Sequence, residues 1–288
     1  MDIGFIGLGT MGLSMARNLV AGGHRVVGYD VSQSAIDSLV ADGGHAADSS
    51  EATARGAEIV VTMLPNGSIV EDALLGAAAA ALKPGAVVID MSTIHPLETD
   101  RIRARLGELS IAMVDAPLGR TAAEAKTGKS LIMAGGLPEH LEQCGPIFDC
   151  IGDTVVDCGG PGMGSRMKIV NNFMTTTLNV LTAETLSLAE SVGLNVDTAI
   201  EVMSGTPAGR SHMLTTYPAK VLNDDLSPAF MIDLARKDLD IAIDLAAKQK
   251  TPLTIGSAAM NTYNAAQADG RGAQDWTAVL DMLRKTRG

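Results

Sequence analysis

The feature that most constrains this chain is a run of glycines near its start. GFIGLGTMGLSMARNL carries the spacing G-x-G-x-x-G at Gly7, Gly9 and Gly12. Three glycines alone say little, but these directly follow an apolar strand, IGFIG, and open a segment with the spacing of an amphipathic helix. A second apolar strand, RVVGYD, ends in Asp30, about 20 residues further on, where a dinucleotide-binding turn needs its acidic residue. Each glycine has a job in such a turn. Gly7 permits the tight bend, Gly9 lets the backbone approach a pyrophosphate, and Gly12 lets helix and strand pack closely. Leu8, Thr10 and Met11 complete the turn, and the helix N-terminus supplies amides and the positive end of a dipole. Asp30 is placed to accept hydrogen bonds from ribose hydroxyls and to repel a 2′-phosphate, and no arginine follows it in DVSQSA, which points to NAD rather than NADP. A carboxylate capping the next helix is the other role open to it.

The same alternation continues. IVVTML, AVVIDMS, IAMVDAP, SLIMAGG and TVVDCG are β-branched runs separated by helix-like segments, which predicts a mostly parallel, doubly wound sheet with helices on both faces. After GGPGMG at 159–164 the strand-like runs stop and helical spacing continues to the C-terminus. The expected architecture is α/β: an N-terminal Rossmann domain over residues 1–162, then an all-α domain over 163–288 for substrate binding and oligomerisation. Ser165 to Val192 contains no proline or glycine, so the two are expected to be joined by one helix of about 40 Å, at 1.5 Å per residue, lining the cleft between them. Breaks are expected at Gly205–Gly209, Ser227–Pro228, Pro252 and Gly270–Gly272.

Charge and composition exclude several classes. A net charge of −11 opposes nucleic-acid phosphates, and no basic stripe with interleaved aromatics offsets it. No window approaches a membrane span and no basic leader precedes the first strand, so the expected location is cytoplasmic, without nucleic-acid or membrane partners. Cys144, Cys150 and Cys158 lack C-x-x-C spacing and read as free buried thiols, with no metal site.

MLPNG at 63–67 and DMSTIHP at 90–96 fall where the carboxyl ends of parallel strands meet a ligand, which makes Met63, Leu64, Pro65 and Thr93 candidates for the nicotinamide side. His95, before a proline, reads as structural rather than as a proton shuttle, and His212, in an irregular stretch, is a weaker candidate for the cleft. In GPGMGSRMKIVNNFM, Lys168, Asn171 and Asn172 stand at i, i+3 and i+4, hence on one helix face. An ammonium there can protonate an oxygen that gains charge as hydride reaches a carbonyl carbon, and desolvation brings its pKa toward neutrality. The competing reading is a lysine snorkelling at a helix start.

GFIGLGTMG, MLPNG, DMSTIHP, DAPLGRT, GKSLIMAGG, GPGMGSRMKIVNN and ARKDLDIA, in this order and spacing, resemble the β-hydroxyacid dehydrogenases over essentially the whole chain. The resemblance implies NAD(P)-dependent interconversion of a small 3-hydroxy acid and its aldehyde by a homodimer or homotetramer. It also implies a catalytic role for Lys168, a supporting one for Asn172, and a place near the cofactor for Lys237. One stretch departs from the family pattern. Where most members read D-A-P-V-S-G-G, this chain has Leu118, Gly119, Arg120 and Thr121. An arginine offers a fork of donors suited to an oxyanion with three oxygens, such as a sulfonate. The substitution resembles the branch of the family that reduces 3-sulfolactaldehyde to 2,3-dihydroxypropane-1-sulfonate with NADH. Gly119, Arg120, Thr121 and Asn171 are the expected sulfonate-binding residues of a small anionic aldehyde or alcohol. Three alternatives stand beside this reading: a carboxylate semialdehyde or 3-hydroxy acid substrate, an Arg120 that merely pairs with Glu124, and a silent nucleotide-binding module.

Overall fold

In the computed structural model, which describes residues 1–286, the chain forms two compact units, Met1–Phe173 and a second from Met174 onward. The division falls inside a continuous helix, Met163–Ser191, ten residues past the composition change at its start.

The first unit is built on a six-stranded parallel sheet: β1 (Asp2–Ile6), β2 (Arg25–Tyr29), β3 (His45–Ala46), β4 (Ile59–Thr62), β5 (Val87–Asp90) and β6 (Ala112–Asp115), in the order β3-β2-β1-β4-β5-β6. The order reverses direction between β1 and β4, the switch point at which ligands bind in such sheets. β4 and β5 are buried at every position, as a parallel sheet covered on both faces requires. Their side chains alternate between two cores. Ile3, Phe5, Ile59, Val61, Val87 and Ile89 pack with Met15, Leu19, Ile147 and Phe148 on one face. Ile6, Val60 and Val88 pack with Val70, Leu74, Ile102 and Leu106 on the other. Burying each such side chain contributes about 1.5–3 kcal/mol, so a one-residue slip that exchanged the faces would be strongly opposed.

SLIMAGG and TVVDCG do not extend this sheet. They form β8 (Ser130–Ala134) and β9 (Gly152–Asp157), which with β7 (Leu118–Gly119) make a separate three-stranded sheet, β7 antiparallel to β8 and β8 parallel to β9. β6 runs on through Pro117 into β7, and the chain turns back only between Gly119 and Ser130, so β8 runs antiparallel to β7 and touches the end of β6 through a bridge between Asp115 and Gly135.

The second unit is helical, with Val196–Ser204, Ile232–Lys248, Thr254–Ala268 and Val279–Lys285 as its main segments. Helices end at Gly205 and are interrupted at Ser227–Pro228, Pro252 and Gly270–Gly272, as expected, with further breaks at Ser211 and after Thr215. Its small core joins Ile232, Ala266, Ala278 and Met282 to Tyr263 and Trp276. The buried Asp275 carboxylate braces it, accepting from the amides of Ala229, Phe230 and Thr277.

Candidate active site

The sheet register assembles the nucleotide edge. Ile6 is paired with Tyr29 and Thr62, Thr62 with Asp90, and Asp90 with Asp115. The residues following these five therefore emerge along one rim, which brings Gly7, Asp30, Met63 and the Met91–Thr93 segment together from four strands. Gly7 has φ +98°, a left-handed value that disfavours side chains, and a Cβ there would overlap the Met63 carbonyl oxygen. A Cβ on Gly12 would overlap the Gly7 carbonyl oxygen, whereas one on Gly9 meets nothing within 4 Å. That contrast fits a dinucleotide: two glycines close the turn, and the third leaves the approach to the helix Thr10–Ala21 clear, with no side chain capping its amides. Asp30 already receives the amides of Leu8 (2.6 Å) and Ser32 (2.8 Å), one on each oxygen, which fixes the carboxylate at the rim and leaves lone pairs for ribose hydroxyls. Thr10, Pro65 and Thr93 are exposed there; Met11, Met63 and Leu64 are half-buried.

Beneath the rim lies a polar pair that the sequence reading missed. Asp90 and Asp115 are both buried, on adjacent strands. Asp90 Oδ1 accepts from Thr62 Oγ1 (2.8 Å) and the Ser92 amide (3.1 Å), and Ser92 Oγ accepts from the Leu64 amide (2.9 Å). The carboxylate thus ties the loops that follow β4 and β5 to the sheet. Its Oδ2 has no hydrogen-bond partner, and burial pushes the carboxyl up to about 6 despite those donors. Asp115 accepts from the Gly162 amide (2.7 Å) and the Ser165 amide (2.6 Å), capping the start of the long helix, with burial again raising its pKa. The available signal was a carboxylate ending an apolar strand, in VVIDMS and AMVDAP.

The capped helix carries the proposed chemistry. Arg166 anchors its first turn to Asp100 (2.6 Å), and Ser165 Oγ accepts from Thr99 (3.1 Å). One turn on, Lys168 is half-buried and donates to the Leu118 carbonyl (2.5 Å). Burial pulls its pKa below the usual lysine value. Asn171 and Asn172 follow on the same face, with Asn171 Nδ2 3.3 Å from Asn172 Oδ1. The snorkelling alternative does not describe an ammonium bonded to the backbone of β7.

Arg120 is held within the small sheet. Its backbone has φ +68°, a left-handed conformation that favours glycine. Its guanidinium reaches past β8 to β9, bonding the Lys129 carbonyl (2.5 Å), Asp153 Oδ1 (2.6 Å) and Thr154 Oγ1 (3.0 Å). Glu124 is not its partner, because that carboxylate receives the amide (2.7 Å) and hydroxyl (3.0 Å) of Thr121 in a capping box. Gly119 is buried within β7, and Thr121 is exposed.

Lys237 lies in the second unit on Ile232–Lys248 and pairs with Asp238 (3.0 Å). His95 caps the helix Pro96–Glu108, its Nδ1 accepting from the Leu97 amide, as a structural histidine would. His212 packs edge-on against Trp276, with ring centroids 4.8 Å apart, and bonds Thr216. All three cysteines are free, but Cys144 alone is buried and Cys150 and Cys158 are partly exposed. Among the described residues no acidic, histidine or cysteine cluster suits a metal, and no helix is long and apolar enough to cross a membrane.

Residues 2–160 match the model of the NAD-binding domain of 6-phosphogluconate dehydrogenase, and residues 162–283 that of the NAD-binding region of NADP-dependent 3-hydroxyisobutyrate dehydrogenase. With the glycine turn and rim carboxylate, these define an NAD-dependent oxidoreductase acting on CH–OH groups. The chain is 47% identical over 288 residues to a 3-sulfolactaldehyde reductase of Escherichia coli K12, covering 99% of this chain and 97% of that one. It is 34% identical to an NAD-dependent L-serine dehydrogenase of Pseudomonas aeruginosa, covering 100% and 99%. A solved 3-hydroxyisobutyrate dehydrogenase of Mycobacterium tuberculosis with L-serine superposes with a TM-score of 0.70 at 30% identity, over 98% of each chain. The chain belongs to the β-hydroxyacid dehydrogenase family, 3-hydroxyisobutyrate dehydrogenase-like branch.

Proposed function

We propose that the protein reduces 3-sulfolactaldehyde to 2,3-dihydroxypropane-1-sulfonate with NADH, as a step in sulfosugar breakdown. The observation that carries this reading is the sequence Gly119-Arg120-Thr121 at the end of the strand whose Leu118 carbonyl accepts from the Lys168 ammonium and in the turn after it, in a chain 47% identical over 288 residues to a reductase of that aldehyde. When bound, the nicotinamide supplies the hydride that the aldehyde carbon receives. Gly7, Leu8, Gly9, Thr10, Met11 and Gly12 would hold the pyrophosphate, Asp30 the ribose, and Met63, Leu64, Pro65 and Thr93 the nicotinamide side.

Lys168 supplies the proton. Its ammonium spends one donor on Leu118 and keeps two, one of which protonates the substrate oxygen as charge develops there. The resulting amine regains a proton from solvent. Desolvation stabilises that neutral amine, so the same group serves as base for the alcohol in the reverse direction. Asn172 orients the substrate oxygen from the next turn. Arg120, Gly119, Thr121 and Asn171 hold the sulfonate, Arg120 after leaving Asp153. Exposed apolar side chains on the long helix, among them Val170 and Leu178, support a homodimer or homotetramer.

A carboxylate substrate is the second reading. It is favoured by the guanidinium's commitment to Asp153, which leaves backbone amides to bind the anion, and by the L-serine named for two relatives. The test is NADH oxidation with 3-sulfolactaldehyde and succinic semialdehyde, in wild type and Arg120→Gly. Losing a charge-assisted contact of about 1.5–3 kcal/mol should lower kcat/KM for the sulfonate about 10- to 150-fold, and for the carboxylate much less. A wild type that prefers the carboxylate, or an unchanged substrate ratio in the variant, would overturn the sulfonate reading.

A further inference from the structure

We propose that Asp153 is a positioning residue that parks Arg120 on the β9 side of the small sheet, and that its carboxylate thereby sets the affinity of the site for the anion Arg120 reads. The inference rests on the proposed role of Arg120.

Three observations carry it. First, the guanidinium's bonds all lie on one side: the Lys129 carbonyl at the start of β8, and Asp153 and Thr154 at the start of β9. Lys168, by contrast, bonds Leu118 on β7. The register pairs Gly119 with Leu131 and Leu131 with Thr154, so β8 separates β7 from β9. Second, the parking site is preassembled. Asp153 Oδ1 also accepts from Thr154 Oγ1 (2.8 Å), and this bond together with Arg120 and the nearby Lys129 keeps the Asp153 carboxyl below its usual pKa. It is therefore an anion throughout the neutral range. Third, the clasp is open to exchange, because the Arg120 and Asp153 side chains are 31% and 47% exposed, and an ion pair so solvated is weak enough for a substrate anion to displace.

Release needs only side-chain torsions. The backbone at Arg120 is fixed in its left-handed conformation by the turn between β7 and the helix Ala122–Ala125, whose capping box occupies Glu124. A ligand that needs Arg120 must first draw it from Asp153, and its apparent affinity falls by the fraction of molecules in which the arginine is free. A ligand held by backbone amides does not bear that cost. Asp153 thus weakens sulfonate binding selectively, and removing its charge should strengthen it.

The experiment is steady-state kinetics on the full chain with NADH and 3-sulfolactaldehyde for Asp153→Asn, Asp153→Glu, Arg120→Gly and the double variant Asp153→Asn/Arg120→Gly. Asp153→Asn is expected to lower the aldehyde KM about 2- to 5-fold, the range of an exposed ion pair. The change should be confined to that KM, with Asp153→Glu returning it toward wild type and the double variant behaving as Arg120→Gly alone. If Arg120→Gly raises KM but Asp153→Asn leaves it unchanged or raises it, the parking role is overturned while Arg120 keeps its own. If Arg120→Gly does not alter KM for the sulfonate, the reading beneath it fails instead. A merely structural Asp153 would lower the melting temperature and kcat together, in the Arg120→Gly background as well.

Discussion

Asp90→Asn tests whether the buried carboxyl under the loops that follow β4 and β5 is a liability at neutral pH. Burial raises its pKa in the folded protein from 3.8 to about 6. A group with a raised folded pKa contributes its full share of stability below the unfolded pKa and loses it as pH rises through the folded one. The rise from 3.8 to about 6 means that Asp90 comes to cost the wild type about 3 kcal/mol as the pH climbs from roughly 4 to 7. Asparagine retains the oxygen that accepts from Thr62 and Ser92 but puts an amide where Oδ2 has no partner. An unsatisfied buried donor costs about 1–3 kcal/mol at every pH. The variant should therefore be less stable than wild type at pH 4.5 and equal or more stable at pH 7.5, with the two curves crossing between. Carboxylates held below their usual pKa, such as Asp225 at about 2, give an opposite slope, but they are common to both proteins and cancel in the difference. The assay is urea unfolding followed by circular dichroism, with hydrogen exchange of β4 and β5 peptides, because the single tryptophan, Trp276, lies in the second unit. Parallel stability curves across that pH range would refute the argument.

Lys168→Ala should leave NADH binding near wild type while lowering kcat about 10²- to 10⁴-fold, checked by pre-steady-state transients that isolate hydride transfer. In the wild type, the reductive rate should fall on the alkaline side at a pH below the ordinary lysine value of 10.5, because burial favours the neutral amine; a rate flat to pH 11 would remove Lys168 as the acid. NADH should be preferred to NADPH in kcat/KM, because a carboxylate at the proposed ribose site would repel a 2′-phosphate; a preference for NADPH would contradict that role for Asp30. Gly12→Ala should abolish NADH binding in titration calorimetry, as its Cβ cannot coexist with the Gly7 carbonyl.

Much of this protein was legible in its residues because the relevant signals are local. The glycine turn, the β-branched runs and the proline-free stretch after Gly164 act through backbone sterics and side-chain periodicity over a few residues, which is why the α/β character, the nucleotide site and the helical second half could be read in order. The alignment of Lys168, Asn171 and Asn172 followed from helix geometry alone. Tertiary structure decided what depends on residues far apart in the chain. SLIMAGG and TVVDCG have the composition of sheet strands, but which sheet they join is a matter of long-range pairing, and the turn between Gly119 and Ser130 sends β8 back against β7 and the end of β6. Burial of Asp90 beside Asp115, and the loss of a partner for one oxygen, arise only when β5 and β6 come together in register. Arg120 is the sharpest case. A guanidinium on several free torsions can serve any carboxylate within reach, and the nearby Glu124 was the natural choice in sequence. Folding gave Glu124 to the Thr121 cap and brought Asp153 to the arginine across 33 positions of chain, because the pairing of β8 with β9 places that carboxylate where the side chain from a left-handed turn must point.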